Sequence, residues 1–243
     1  MAKASAAGHR VVLITATRGE NGEVAEGFLD PGEQLWERRV KETAEAARVL
    51  GVHRQEFLGY VDSGMMGTPE NDAPNSFWQA DLDDAAGRLA AILTDENADV
   101  LTVYDDHGVY GHPDHIQIHR VGVRAAELAG TPRVYESTAN RDAIVGGLLE
   151  ARDMGVELPG DLDPDAFSEF GVTDSEITTV IDVSEFLEVK KAAMRAHASQ
   201  IAETSFFLST PDEFFARAFG EEWYIRRGPR PAKRESSLFD GLE

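Results

Sequence analysis

Four short apolar runs, set among helix-forming stretches, constrain this chain more than any other feature. His9 to Ala16 (HRVVLITA), Val52 to Leu58, Val100 to Tyr104 (VLTVY) and Arg133 to Ser137 read as buried strands. Between them lie helical faces. Trp36, Val40, Ala44, Ala47 and Leu50 make one, with Gly51 closing it; Leu82, Ala86, Leu89 and Leu93 make the next. A third helix is predicted from about Pro113 to Ala129, with Gly130 behind it. Asp30-Pro31-Gly32-Glu33 carries the signature of a capping box and marks the expected start of the first of these helices. Strand and helix alternating in this way predict an α/β fold, with a Rossmann-like, doubly wound and mostly parallel sheet and helices on both faces. In such sheets ligands sit beyond the carboxyl ends of the strands, where the loops 17–30, 59–80 and 105–112 fall.

The expected organisation is a single domain over 1–243, with a core at 1–155 and a C-terminal strand-helix extension at 156–243. Residues 156–176 read as an acidic connection, Ile177 to Val183 as a strand and Ser184 to Ile201 as a helix. An aromatic-rich tail follows. Its Phe206-Phe207 pair and the run Glu213 to Phe219 read as an amphipathic helix, packing on the domain or on a second subunit of a homo-oligomer. Ala2 to Ala7 reads as the last turns of a helix capped by Gly8, so the N-terminal βα unit is expected to be incomplete.

Charge and cysteine content narrow the function. Acidic residues outnumber basic ones 44 to 23, giving a net charge of −21, which disfavours nucleic acid and anionic membrane surfaces as partners. Arg226, Arg227, Arg230 and Arg234 form the one basic cluster and read as a solvated or partner-binding tail. There is no cysteine, so thiol nucleophiles, disulfides and cysteine-held metals are excluded. No apolar stretch is long enough to span a bilayer and no secretory h-region is evident, so the expected location is cytoplasmic.

The densest polar segment is Asp105-Asp106-His107-Gly108-Val109-Tyr110-Gly111-His112-Pro113-Asp114-His115, with His119 one turn further on. It leaves a buried strand and opens a helix. His112, His115 and His119 share one helix face, and neutral imidazole beside carboxylates suits metal binding or acid–base work. The spacing is not HExxH, and no GxGxxG, P-loop or GxSxG occurs.

TRGE at 17–20, LGYVDSGM at 58–65, YDDHGVYGHPDH at 104–115 and KKAAMRAHASQ at 190–200 together resemble the LmbE/PIG-L-like zinc N-deacetylases, a family that includes enzymes of mycothiol metabolism. The resemblance implies a zinc-dependent deacetylase or amidase acting on the N-acyl amide of an N-acetylglucosamine-type amino-sugar. It implies zinc, or another divalent metal, with His115 as a ligand. His112 would polarise the amide carbonyl or protonate the departing amine, oriented by Asp114, with Tyr110 as a mobile residue beside the reacting centre. Arg18, Asp62 and Ser63 would line the substrate pocket. His197 would lie near the site or be a solvated helix residue.

The family takes its other two zinc ligands and its general base from an HPDDE-type motif, and no HPDD precedes His112 in this sequence. Three readings follow: an internal methionine taken as the start, a member that binds an amino-sugar without catalysis, or a metal site rebuilt from His112, His115, His119 and Asp105 or Asp106.

Overall fold

The computed structural model describes residues 1–153, 155 and 163–242. In chain order they form α1 (Ala2–Ala6), β1 (Val12–Thr15), α2 (Leu35–Val49), β2 (Arg54–Phe57), α3 (Leu82–Asp95), β3 (Val100–Tyr104), the irregular turn α4 (Gly108–Gly111), α5 (Pro113–Ala129), β4 (Arg133–Thr138), α6 (Arg141–Asp153), β5 (Thr179–Asp182), α7 (Leu187–Ala196), α8 (Phe206–Ser209), α9 (Asp212–Phe219) and β6 (Glu221–Arg226). The architecture is α/β. Part of the acidic connection expected at 156–176 lies outside the described residues.

The chain divides into two compact units. Residues 1–80 and 183–220 make the first; residues 81–182 and 221–243 make the second. In the first, β1 and β2 pair in parallel, Val12 opposite Arg54 through Thr15 opposite Phe57. Helix α2 begins later than the sequence suggests. Asp30 and Glu33 do bond reciprocally, Glu33 N–H to Asp30 O at 2.9 Å and Asp30 N–H to Glu33 Oε2 at 3.2 Å, but they close a turn. The helix itself is capped at Gln34 by a box with Glu37. Its buried positions are Glu42, Ala46 and Ala47. The expected apolar face is thus partly replaced by a buried carboxylate, which is satisfied by Ser199. The expected helix over 184–201 is shorter: a 3-10 turn at Ser184–Phe186 leads into α7, which ends at Ala196 with His197 as its C-cap. Phe215 of α9 is buried, while Phe206, Phe207 and Phe214 are exposed.

The second unit holds a four-stranded sheet in the order β3-β4-β6-β5. Here the mostly parallel expectation needs correcting. Only β3 and β4 run in parallel; β6 is antiparallel to both β4 and β5. Strand β6, EEWYIR, lies in what reads as a tail, and it takes a place in the middle of the sheet with its consecutive Trp223, Tyr224 and Ile225. The arginines around it are not a solvated cluster. Arg226 pairs with Glu235 at 2.7 Å, Arg227 with Glu136 at 2.6 Å and Arg234 with Asp174 at 2.9 Å; Arg230 donates to Ser175 O. Helix α3, capped by Asp81 Oδ1 on Asp84 N–H at 2.9 Å, packs Ala85, Ala86, Leu89, Ala90 and Leu93 inward, beside Val121 and Ala125 of α5. No helix among the described residues is long and apolar enough to cross a membrane.

Candidate active site

The polar segment after β3 is built by a sharp reversal. Asp105 extends the strand pairing, its N–H donating to Ser137 O at 3.1 Å, and its side chain is fully buried. Gly108, Val109 and Gly111 then take φ values of +70°, +66° and +86°. Glycine is required at 108, because a Cβ there would stand 2.8 Å from the Cβ of His115 and 3.0 Å from the Ile116 nitrogen. Val109 is a different matter. At φ 66° and ψ −49° it sits in a region that a β-branched residue rarely visits, at a cost on the order of 1–3 kcal/mol.

The reversal delivers His112 as the N-cap of α5. Its Nδ1 accepts the Asp114 backbone N–H at 3.1 Å, and Pro113 occupies the first helical position, where no N–H is needed. The link from Asp114 to His112 that this hydrogen bond records therefore runs through the Asp114 main chain. An Nδ1 that accepts leaves the proton of a neutral imidazole on Nε2, so His112 presents an N–H donor.

One turn on, His115 lies with its ring 5.0 Å from that of His112. It stacks flat on Tyr104, centroids 3.8 Å apart and 5° from parallel, and Tyr110 meets it edge-on at 5.1 Å. Its Nδ1 is 3.3 Å from Gly108 O. Burial, then the neighbouring His112, push the His115 pKa down to about 4, against a smaller opposing pull from the Gly108 carbonyl. His115 is thus neutral near pH 7. His119 is not part of this group: its Nδ1 is 3.0 Å from Tyr104 O and 3.7 Å from Glu136 Oε1. Tyr110 is half exposed, and its ring lies nearly parallel to Phe170 at 6.3 Å. It borders a cleft of about 600 Å³ with His107, Arg141, Glu169 and Phe170. Phe170, which lines this cleft beside Tyr110, is a candidate that sequence reasoning missed, since it belongs to a segment read only as a connection.

The other expected site residues belong to the first unit. Arg18 Nε bonds Glu20 Oε1 at 2.9 Å, and its guanidinium lies 4.4 Å above the Trp36 ring. Glu20 Oε2 also accepts the Asp62 N–H at 3.1 Å, so one carboxylate ties Arg18 to Asp62. Asp62 Oδ1 accepts the Gly64 N–H at 2.8 Å. Ser63 is fully buried and its Oγ accepts the Trp78 N–H at 2.9 Å, an engagement inside the loop itself. Glu20, within the TRGE motif, is the organising residue that sequence alone did not single out. His197 is part-buried against Arg39, and burial followed by that cation lowers its pKa.

A catalytic zinc normally takes three protein ligands. His115 has the character of one: neutral, buried and oriented through Nδ1 by a main-chain carbonyl. Among the described residues, however, no three His, Asp or Glu side chains converge as a metal site requires. The rebuilt site of three histidines with Asp105 or Asp106 is therefore not formed; His119 is turned to Tyr104 O, and Asp105 to Val109 and Thr138. The donor set among the described residues does not fit a zinc ion.

An α/β fold with two histidines, a phenol and a carboxylate gathered where a parallel strand ends defines a protein of hydrolase-like polar chemistry. Residues 1–126 match the family model PIG-L, GlcNAc-PI de-N-acetylase, and the chain belongs to that family. It is 43% identical to a 1D-myo-inositol 2-acetamido-2-deoxy-alpha-D-glucopyranoside deacetylase of Acidothermus cellulolyticus, over all of this chain and 89% of that protein. It is 42% identical to the enzyme of the same name from Streptomyces avermitilis, over all of this chain and 90% of that one. Among solved structures it is similar to the N,N'-diacetylchitobiose deacetylase of Pyrococcus horikoshii, with a TM-score of 0.59 and 19% identity over 93% of this chain and 75% of that one; this likeness speaks for the fold.

Proposed function

We propose that this chain is a hydrolase of the N-deacetylase/amidase type, cleaving the N-acetyl amide of an N-acetylglucosamine-type amino-sugar of the mycothiol-like class. The observation that carries the reading is the His112 cap. Its Nδ1 is held by the Asp114 N–H, and the resulting Nε2–H donor stands beside His115 and Tyr110. Relatives named as deacetylases at about 40% identity, matched end to end with this chain, support the same reaction.

Within it, water adds to the acetyl carbon and the C–N bond breaks to give acetate and the free sugar amine, which takes the proton the water gives up, while the His112 Nε2–H donates a hydrogen bond to the acetyl oxygen as negative charge develops there. Tyr110, half exposed and bordering the cleft, adds a phenolic donor. Arg18 and Asp62, joined through Glu20, bind sugar hydroxyls, while Ser63 holds the loop that carries Asp62. Zinc is the cofactor that the family resemblance implies. Of its ligands the described residues supply His115.

The test is release of free amine from N-acetylglucosaminyl-inositol, with zinc titrated in and bound zinc measured. Amine release that falls roughly a hundredfold or more in His112→Ala is the expected result. No release at any zinc concentration overturns it. The shortage of metal ligands favours a second reading, an amino-sugar-binding protein without catalysis. Saturable ligand binding by calorimetry without amine release selects that one.

A further inference from the structure

Resting on the roles just given to Tyr110 and His112, we infer that Asp105 is a positioning residue. Its buried carboxylate clamps the strained turn that brings Tyr110 to the site and delivers His112 to the head of α5. The strain is at Val109, whose φ of 66° and ψ of −49° place it at the centre of a rare γ-type turn. A valine stays there only if both of its peptide groups are held. They are. Val109 N–H donates to Asp105 Oδ1 at 2.6 Å, and Val109 O accepts the Gly171 N–H at 2.8 Å.

Asp105 is anchored in turn. Its Oδ2 accepts the Thr138 hydroxyl at 2.6 Å, its N–H reaches Ser137 O, and it is 1% exposed. The carboxylate thus bridges the end of β4 and the turn. Both oxygens are spent on these two donors, with His107 Nδ1 a further 3.5 Å away from Oδ1. That geometry suits holding the turn and not touching a substrate. The consequence lies one residue downstream. Tyr110 leaves the turn with its ring against His115 at 5.1 Å and near Phe170, and the next two residues end at the His112 cap. Freeing Val109 would let the backbone return to an ordinary φ, which swings Tyr110 and shifts His112. Misplacement by about 1 Å is enough to cost roughly a hundredfold in rate.

The experiment is a double-substitution cycle on the full chain, with two readouts. Asp105→Ala removes the clamp, Asp105→Asn keeps one acceptor for Val109 N–H, and Val109→Gly removes the strain that the clamp opposes. The first readout is the fluorine NMR signal of fluorotyrosine at Tyr110, identified by its loss in Tyr110→Phe. The second is kcat and KM for amide hydrolysis. Asp105→Ala should shift or broaden the Tyr110 signal and lower kcat roughly a hundredfold with little change in KM. Asp105→Asn should recover most of both. Adding Val109→Gly to Asp105→Ala should restore the Tyr110 signal and about tenfold of the lost kcat, the scale of relieved backbone strain. If Asp105→Ala acts equally in both backgrounds, or leaves Tyr110 unmoved, the inference is wrong. Should Asp105→Ala fail to fold, Thr138→Val, which removes one of the two donors to the carboxylate, must show a weaker form of the same Tyr110 change; an unchanged signal overturns the inference. Should the wild-type chain hydrolyse no amide, the proposed reaction falls, while the NMR cycle still decides the role of Asp105.

Discussion

The carboxylate of Glu42, buried on α2, accepts both the N–H and the hydroxyl of Ser199, at 2.8 and 2.7 Å, across 157 residues of chain. Two oxygens meeting two donors is the arrangement that makes a buried carboxylate tolerable. It fixes the segment following α7 against α2.

Glu42→Ala should therefore cost about 2–3 kcal/mol, because it leaves the Ser199 N–H buried without its acceptor. Ser199→Ala keeps that N–H bond and should cost only about 1 kcal/mol. Urea denaturation of the two variants compares them directly; equal losses would mean that the hydroxyl carries the interaction.

Gly108→Ala tests the close approach behind the site. The new methyl would press on the Cβ of His115 and the Ile116 nitrogen, at a φ of +70° that alanine resists. Backbone cannot yield here as a flexible side-chain tip could. A loss of about 2–3 kcal/mol in stability is expected, with weaker His115–Tyr104 stacking seen as altered ring shifts in NMR. A variant as stable as the wild type would show that the turn moves freely.

Much of this site could be read in advance because its signals are local. Pro113 at the first helical position and Gly130 at φ +70° bound α5 where the sequence places it, so His112 and His115 come out on one face. What could not be read depends on distant partners. Strand β6 takes its place between β4 and β5 through pairings such as Tyr135 with Arg226 and Thr179 with Tyr224, which no local pattern specifies. The arginines beside it looked solvated because their acceptors, Glu136 and Asp174, lie far away in sequence. Asp105 and Asp106 are adjacent and chemically alike. Only the fold shows that the first is 1% exposed and bound to Thr138.

His197 offers a pH test within the first unit. Its Nδ1 is buried without a hydrogen-bond partner among the described residues, and its pKa lies below the ordinary histidine value, chiefly through burial and secondarily through Arg39, with Glu42 pulling the other way. Arg39→Met should move the pKa upward, as NMR titration of the imidazole would show. The sign for stability follows. A neutral, depressed histidine stabilises the fold fully above its unfolded pKa of about 6.5, and that contribution is lost as pH falls below it. Thermal unfolding of His197→Gln should fall less steeply than wild type on acidification from that point; a parallel fall would remove His197 as a cause.

Glu20 is the residue whose change should separate binding from chemistry. Its two oxygens hold Arg18 at 2.9 Å and the Asp62 N–H at 3.1 Å, and Arg18 is further steadied over Trp36. Glu20→Ala frees both groups at once. If Arg18 and Asp62 bind the sugar, they lose their common anchor and must be ordered by the ligand itself, at a cost on the order of 1 kcal/mol for each immobilised side chain. The expected result is a KM raised roughly tenfold with kcat changed little, the pattern of an interaction equally present in ground and transition states. Arg18→Lys should resemble it, since a lysine reproduces neither the planar stack on Trp36 nor the Nε contact. A fall in kcat at constant KM would instead place Glu20 in the reaction itself and withdraw the substrate-binding role from the pair it joins.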